Sequence, residues 1–430
     1  MLNNNNFNIA IIGLGYVGLP LSIEFSKKYT TYGFDNNLKR IKDLRKGIDE
    51  TLELKSRELL TSDLILTSTI KDIKDCNIYI ITVPTPIDKN NNPDLMPLEH
   101  ASRSIGKLID KGNLVIYEST VYPGATEEFC VPILESESQL KYNIDFFCGY
   151  SPERINPSDK KHTLKSIKKI TSGSNDNIAS IVDGLYKSII SAGTYKVSSI
   201  PIAESAKVIE NIQRDVNIAL INELAIIFNK LNLDTQEILE AAGSKWNFLN
   251  FRPGLVGGHC ISVDPYYLTY KAKAIGYNPE IVLSGRRIND SMAEYIAEET
   301  ISLMRKLDFK LKNSIVGMLG LTFKENCPDL RNSQAPLIAN SMRGYGCNIL
   351  VSDPYVNKEQ VNNIYGLKLV DISEMEKVDV LIVAVAHNEY ISLDRRGLLN
   401  LLNSNGILID VKSIYTKCLL SDSSIFHWRL

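Results

Sequence analysis

No stretch of about 18 apolar, uncharged residues, the length that crosses a bilayer, occurs anywhere in the 430 residues. The apolar run Ile9 to Leu21 is too short, and Gly13, Gly15, Gly18 and Pro20 interrupt it. The segment ahead of it, Met1 to Asn8, is asparagine-rich and lacks the basic start of a secretory signal. A soluble, cytoplasmic protein is expected. Cysteine is sparse: seven residues, at 76, 130, 148, 260, 327, 347 and 418, with no C-x-x-C pair. That argues against a disulfide framework and a thiolate zinc site, and no metal is expected. Charge of one sign is missing too, because 48 Lys+Arg stand against 50 Asp+Glu. A net charge of −2 offers no global field for nucleic acid or an anionic membrane. No fixed-period repeat appears, and the only biased segments are Asn tracts at 3–6 and 90–92.

What is present is ordinary globular composition, 44% hydrophobic and 23% charged, with a mean hydropathy of −0.08. The length allows roughly two to three domains. Short apolar runs at Phe7–Ile12, Thr31–Asp35, Ile78–Val83, Asn113–Glu118 and Ile144–Cys148 alternate with helical patterns. That alternation predicts a mostly parallel, doubly wound α/β domain over residues 1–200. Residues 201–308 change texture. A long helical pattern spans Ile202 to Leu231, and more helix is expected around a Gly/Pro-rich loop from Phe251 to Tyr267. Buried-strand runs return at Ser314–Leu319, Asn348–Ser352, Val378–Val385 and Gly406–Val411, predicting a second α/β domain over 309–430.

Gly13-Leu14-Gly15-Tyr16-Val17-Gly18 follows the first strand and opens a helix. The first glycine allows a tight turn, the second lets backbone approach a pyrophosphate, and the third permits close helix packing. Asp35 ends the next strand, where a carboxylate bonds a ribose 2′-hydroxyl and repels a 2′-phosphate. NAD is therefore favoured over NADP. Arg40, five residues on, reads either as a guanidinium stacked on adenine or as a solvated helix residue. Thr85, in Val83-Pro84-Thr85-Pro86, and Thr120, in Glu118-Ser119-Thr120, follow strands at the edge where such sheets bind ligands. Ordinary loop chemistry also accounts for both.

The most informative stretch runs from Phe251 to Pro265. Gly254, Gly257 and Gly258 precede Cys260, which permits close approach of backbone to a ligand and leaves the sulfur accessible. A nucleophilic thiolate needs a neighbouring cation or a helix N-terminus. Asp264 lies one helical turn on if the segment is helical. His259, adjacent to the thiol, would point to the opposite face of an extended segment, so a structural role is expected for it. Lys207, Asn211 and Arg214 share one face of the long helix, and a lysine of depressed pKa can accept a proton from an alcohol. A solvated polar stripe is the alternative.

Taken in order, these motifs resemble the UDP-glucose/GDP-mannose dehydrogenase family over nearly the full length. The resemblance also rests on Ser151-Pro152-Glu153-Arg154, Gly257-Gly258-His259-Cys260, Leu321-Thr322-Phe323-Lys324 and Asp329-x-Arg331. It implies two Rossmann-like, doubly wound domains joined by a long central helix and helical middle domain, the helix forming a homodimer interface with higher assembly open. It implies NAD-dependent, four-electron oxidation of a UDP-sugar C6 alcohol to the carboxylate. Catalytic roles then fall to Cys260 as nucleophile, Lys207 and Asn211 at the alcohol proton and oxyanion, Asp264 and Thr120 at a water, and Glu153 in thioester hydrolysis. Gly13, Gly15, Tyr16, Val17, Gly18, Asp35, Arg40, Thr85, Thr120 and Arg331 would line the cofactor. Glu153, Arg154, Ile155, Lys207, Asn211, Arg214, Arg252, Gly257 and Lys324 would contact the nucleotide sugar.

UDP-glucose enzymes of the family usually carry Pro-Lys-Asp after the nucleophile, whereas this chain has Ser262-Val263-Asp264. Gly258 to Leu268, Lys245-Trp246-Asn247-Phe248 and Ile155-Asn156-Pro157 instead resemble the UDP-N-acetylhexosamine branch, most of all GlcNAc and GalNAc 6-dehydrogenases. The resemblance implies a role in surface polysaccharide, O-antigen or capsule synthesis. UDP-glucose and UDP-ManNAc stay as alternative substrates. A two-electron hydroxyacid dehydrogenase or a non-catalytic nucleotide-sugar sensor are more remote, since neither needs Cys260.

Overall fold

The computed structural model describes residues 7–154, 162–258, 260–421 and 424–430. The chain forms two compact units, one of residues 1–210 with 266–278, the other of 211–265 with 279–430. The helical middle expected over 201–308 is thus shared between them: the helices Ile200–Lys230 and Asp264–Ala274 both run through a boundary.

The first unit carries eight strands: β1 (Asn8–Ile12), β2 (Thr30–Phe34), β3 (Ile65–Thr67), β4 (Ile78–Ile81), β5 (Leu114–Tyr117), β6 (Phe147–Tyr150), β7 (Lys169–Gly173) and β8 (Thr194–Lys196). Their order is β3-β2-β1-β4-β5-β6-β7-β8, parallel except where β7 runs antiparallel to β6. β4 and β5 are buried at every position, as expected of strands covered on both faces, so they read as unbroken apolar runs. The run expected at Ile144–Cys148 begins later. Asn143 takes a left-handed φ of 61° and Ile144 is 71% exposed, so a turn occupies those residues and β6 starts at Phe147.

The second unit holds β9 (Ile315–Leu319), β10 (Asn348–Ser352), β11 (Lys368–Leu369), β12 (Val378–Val383), β13 (Leu402–Asp410) and β14 (Phe426–Arg429). This sheet is wholly parallel, in the order β11-β10-β9-β12-β13-β14. In each sheet the chain leaves its first strand toward one edge and later returns to build toward the other. The crevice lies where that reversal occurs, at β1/β4 in the first and β9/β12 in the second. Among the described residues no helix is long and apolar enough to cross a membrane, and no cluster of side chains could hold a metal.

Candidate active site

In the first unit the glycine turn leaves β1 at its reversal point. Gly13 has φ +95°, which an L side chain rarely adopts, and its carbonyl accepts the Thr82 hydroxyl at 2.7 Å. A Cβ on Gly18 would lie 1.9 Å from Gly13 O, so this glycine is required by the turn itself. A Cβ on Gly15 would meet nothing within 4 Å, so no packing of the protein demands glycine there. The helix Gly18–Ser26 starts without a side-chain cap or an acidic residue in its first turn. Open space ahead of uncapped N–H groups is what a pyrophosphate needs. Asp35 is held with Oδ2 accepting Leu14 N–H at 3.0 Å and Oδ1 accepting Asn37 N–H at 2.9 Å. The turn, the uncapped helix and the carboxylate fit a dinucleotide with a free 2′-hydroxyl. Tyr16 and Val17 are half-buried on the same turn.

Arg40 is placed differently from the adenine-stacking expectation. Its guanidinium donates to Leu14 O at 3.0 and 2.8 Å and pairs with Asp49 at 2.8 Å. At 5% exposure it offers no open face to a base. It braces the glycine turn from behind, which short-range sequence spacing cannot reveal.

Thr85 and Thr120 are both half-buried beyond β4 and β5. Ser119 ties these two loops together by donating its hydroxyl to Val83 O at 2.7 Å. Glu118 and Glu153, at the ends of β5 and β6, both meet the buried Lys169, a residue that no motif singled out. Arg154 pairs with Glu210 at 2.6 Å and donates to Lys168 O at 3.0 Å. Lys207 is buried on the long helix. Ile155, Asn156, Pro157 and His259 lie outside the described residues.

In the second unit Cys260 stands where the chain begins to wind into a helix. Its carbonyl accepts Asp264 N–H at 2.8 Å and Val263 N–H at 3.1 Å, and the helix Asp264–Ala274 follows. A thiol at such a start lies toward the positive end of the helix dipole. No disulfide joins any of the seven cysteines. Burial pushes Cys76 and Cys130 up to about 12 and raises Cys148 and Cys347, which leaves those four inert thiols, whereas Cys260 is half-exposed. Asp264 is buried and accepts the amide N–H of Asn211, whose amide oxygen accepts Arg214. That chain fixes the Asn211 amide and leaves its Nδ2 a second hydrogen to donate.

The glycines before Cys260 have a different cause from the one expected. A Cβ on Gly257 would lie 2.5 Å from Asn332 O, and one on Gly258, at φ +89°, 2.7 Å from the Phe323 ring. The close approach is to the protein's own loop. Asn332 Nδ2 donates to Gly258 O at 3.0 Å, and the Asn222 amide exchanges two hydrogen bonds with the Gly254 backbone, at 2.8 and 3.1 Å.

At the β9/β12 reversal a small cleft is lined by Leu255, Thr322, Phe323, Lys324, Glu325 and Lys412 among others. Lys412 pairs with Glu325 at 3.2 Å, and no sequence motif had pointed to either. His387, fully buried, braces the loop: its Nδ1 accepts Asn326 N–H at 2.9 Å, and its Nε2 lies 3.2 Å from both Thr322 Oγ1 and Asp353 Oδ2. Burial opposes ionisation of Asp353, yet the His387 contact and backbone N–H groups hold its pKa below the ordinary value. Arg331 is exposed and paired with Asp329 at 2.9 Å, and Arg252 is exposed and bonded to Gln236 at 3.1 Å.

Comparison with known proteins gives a consistent picture. Residues 7–190 match the NAD binding domain of the UDP-glucose/GDP-mannose dehydrogenase family, 202–291 its central domain and 317–417 its UDP binding domain. The chain is 55% identical over 408 residues to UDP-N-acetyl-D-glucosamine 6-dehydrogenase of Pseudomonas aeruginosa, covering 95% of this chain and 97% of the relative. It is 52% identical over 425 residues to Protein CapL of Staphylococcus aureus, covering 99% and 100%. The solved structure of UDP-D-ManNAc dehydrogenase from Pyrococcus horikoshii matches with a TM-score of 0.88 at 30% identity, over 98% of this chain and 99% of that one.

Proposed function

This chain belongs to the UDP-glucose/GDP-mannose dehydrogenase family, and on that premise we propose that it oxidises the C6 hydroxyl of a UDP-N-acetylhexosamine, GlcNAc or GalNAc, to the carboxylate. It is an NAD-dependent UDP-sugar dehydrogenase. The half-exposed Cys260 at a helix start, beside the Asp264–Asn211 pair, carries the covalent part of the reading. The Pseudomonas aeruginosa relative, named for UDP-GlcNAc, supports the N-acetylhexosamine.

NAD supplies a hydride acceptor, one equivalent for each of the two oxidations. Gly13, Gly15, Tyr16, Val17, Gly18, Asp35, Thr85, Thr120 and Arg331 are the residues that would hold it. Lys207 takes the C6 hydroxyl proton in the first oxidation. The Cys260 thiolate then adds to the aldehyde carbon, and Lys207 with the remaining Asn211 N–H stabilises the oxyanion. The second oxidation gives a thioester. Asp264 and Thr120 hold the water that hydrolyses it, and Glu153 takes that water's proton. Arg154, Ile155, Arg214, Arg252, Gly257 and Lys324 contact the nucleotide sugar.

A panel of UDP-sugars assayed for NADH and uronic acid tests the assignment. UDP-GlcNAc or UDP-GalNAc should give the highest kcat/KM, with two NADH per sugar. Highest kcat/KM for UDP-glucose or UDP-ManNAc refutes the N-acetylhexosamine choice.

The same reading includes a homodimer. Ile202, Ile209, Leu220 and Ile227 are 44–56% exposed and recur at spacings of 7, 11 and 7, near-whole turns of the helix Ile200–Lys230. They form one apolar stripe on a single helix, and pairing with a second copy would cover it. Light scattering at micromolar concentration should give twice the chain mass, and Ile209→Lys with Leu220→Lys should shift it to one. A fully active monomer of the unaltered chain contradicts this.

A further inference from the structure

The antiparallel strand β7 delivers a lysine to the carboxyl ends of β5 and β6. The β6–β7 register sets Tyr150 opposite Ser172, and continuing it three residues brings Glu153 opposite Lys169. Lys169 Nζ lies 2.7 Å from Glu118 Oε2 and 3.3 Å from Glu153 Oε2. Tyr186 donates its hydroxyl to the other Glu118 oxygen, and its ring lies under the ammonium, 5.3 Å from Nζ to centroid. Lys169 is 2% exposed, Glu118 1% and Tyr186 0%. Two buried carboxylates thus share one buried cation.

We propose that Lys169 and Glu118 are positioning residues for Glu153: Lys169 fixes one oxygen of its carboxylate, and Glu118, competing for the same ammonium, sets its basicity. The proposal rests on the reading that Glu153 takes the proton of the hydrolytic water. Glu153 Oε1 accepts Arg154 N–H. As the water oxygen bonds to the thioester carbon, one of its protons passes to Glu153. The carbon–sulfur bond then breaks, its electron pair returns to Cys260 Sγ, and the proton leaves Glu153 for solvent. A carboxylate whose cation was its own would be a weaker base. Glu118 prevents that by holding part of the ammonium's charge. Burial raises the Glu118 pKa to about 7, with the Glu153 charge adding to that rise and Lys169 opposing it. Among the described residues, Lys169, Tyr186 and Arg154 N–H are groups that face the pair.

The test follows breakdown of the acyl-enzyme by quenched flow and intact-protein mass, using the full chain with NAD and the best UDP-sugar. Lys169→Met should release two NADH per site and then stall with the sugar acyl group on the protein. Deacylation should fall about tenfold or more, as for loss of an oriented base, with KM for the UDP-sugar within about twofold. Lys169→Arg should restore part of the rate. Glu118→Gln keeps a partner for Tyr186 and leaves Lys169 to Glu153 alone. Its deacylation profile should shift its acid limb down by roughly half a pH unit or more, the direction an unshared cation imposes. If Lys169→Met does not fold, this shift carries the test. A folded Lys169→Met that deacylates at the wild-type rate, or an unmoved Glu118→Gln profile, overturns the proposal. Glu153→Gln separates the two levels. If it deacylates slowly while Lys169→Met is normal, only the positioning role falls. If it deacylates normally, the Glu153 reading falls and takes the proposal with it.

Discussion

Cys260→Ala should lower uronic acid formation by about a thousandfold or more, the scale of removing a covalent nucleophile, while leaving NAD affinity within about twofold. The conversion of an alcohol to an acid removes four electrons, and each NAD takes two. An aldehyde therefore arises midway and must be retained while the first NADH is exchanged. A thiolate retains it as a thiohemiacetal, which is oxidised in turn to a thioester. The geometry favours Cys260 for this among seven cysteines, because it alone is half-exposed at the start of a helix. Four of the others are buried with raised pKa values, Cys327 is buried, and Cys418, though exposed, lies 3.3 Å from the Thr416 hydroxyl. NAD affinity should survive because the dinucleotide turn belongs to β1 and its following helix. Cys260→Ser should yield traces of aldehyde or a slow ester-linked adduct. Two NADH per sugar at near wild-type rate from Cys260→Ala would rule out the covalent route.

Gly18→Ala and Gly15→Ala should separate, although they lie in one six-residue motif. On Gly18 the new methyl would sit 1.9 Å from Gly13 O and 2.4 Å from Thr82 Oγ1. Backbone must move, at a cost of about 1–3 kcal/mol or more. For a unit of this size that lowers the melting temperature by roughly 2–12 °C. NAD affinity should drop at least about tenfold, since the turn that presents the N–H groups is displaced. On Gly15 the methyl meets no protein atom within 4 Å, so melting should stay within about 1 °C, as for a surface change. NAD affinity should nonetheless fall about tenfold, because the methyl occupies the space the pyrophosphate needs. Thermal melts and NAD titrations of both variants check this. Unchanged NAD affinity in Gly15→Ala would show that the turn does not face the cofactor.

The same contrast shows where the sequence ran out. The motif gave the turn, and the spacing to Asp35 gave the carboxylate, because a strand, a turn and a helix fix those positions over a short span. Arg40 lies just as close in sequence, but its burial against Asp49 and Leu14 O depends on how the segment after its helix folds back. Gly257 and Gly258 were legible as places that tolerate no side chain. That the obstructing atoms belong to Phe323 and Asn332, some 65 to 75 residues on, was not. Lys169 gave no signal, sitting beside the exposed Lys168 in a strand that no apolar run announced.

The sequence by itself determined the two mostly parallel sheets, the dinucleotide turn and the shared helix face of Lys207, Asn211 and Arg214. Each of these rests on local chemistry: apolar runs buried on both faces, glycines at a strand-to-helix turn, and i, i+4 spacing. Only the tertiary structure decided which charges share a site. Antiparallel β7 reverses the chain and sets a lysine among two carboxylates from the neighbouring strand ends, and the fold of the second unit puts Asn211 on Asp264, 53 residues away. Pairings of that kind depend on strand order and register, and burial makes them strong because water is not there to screen them.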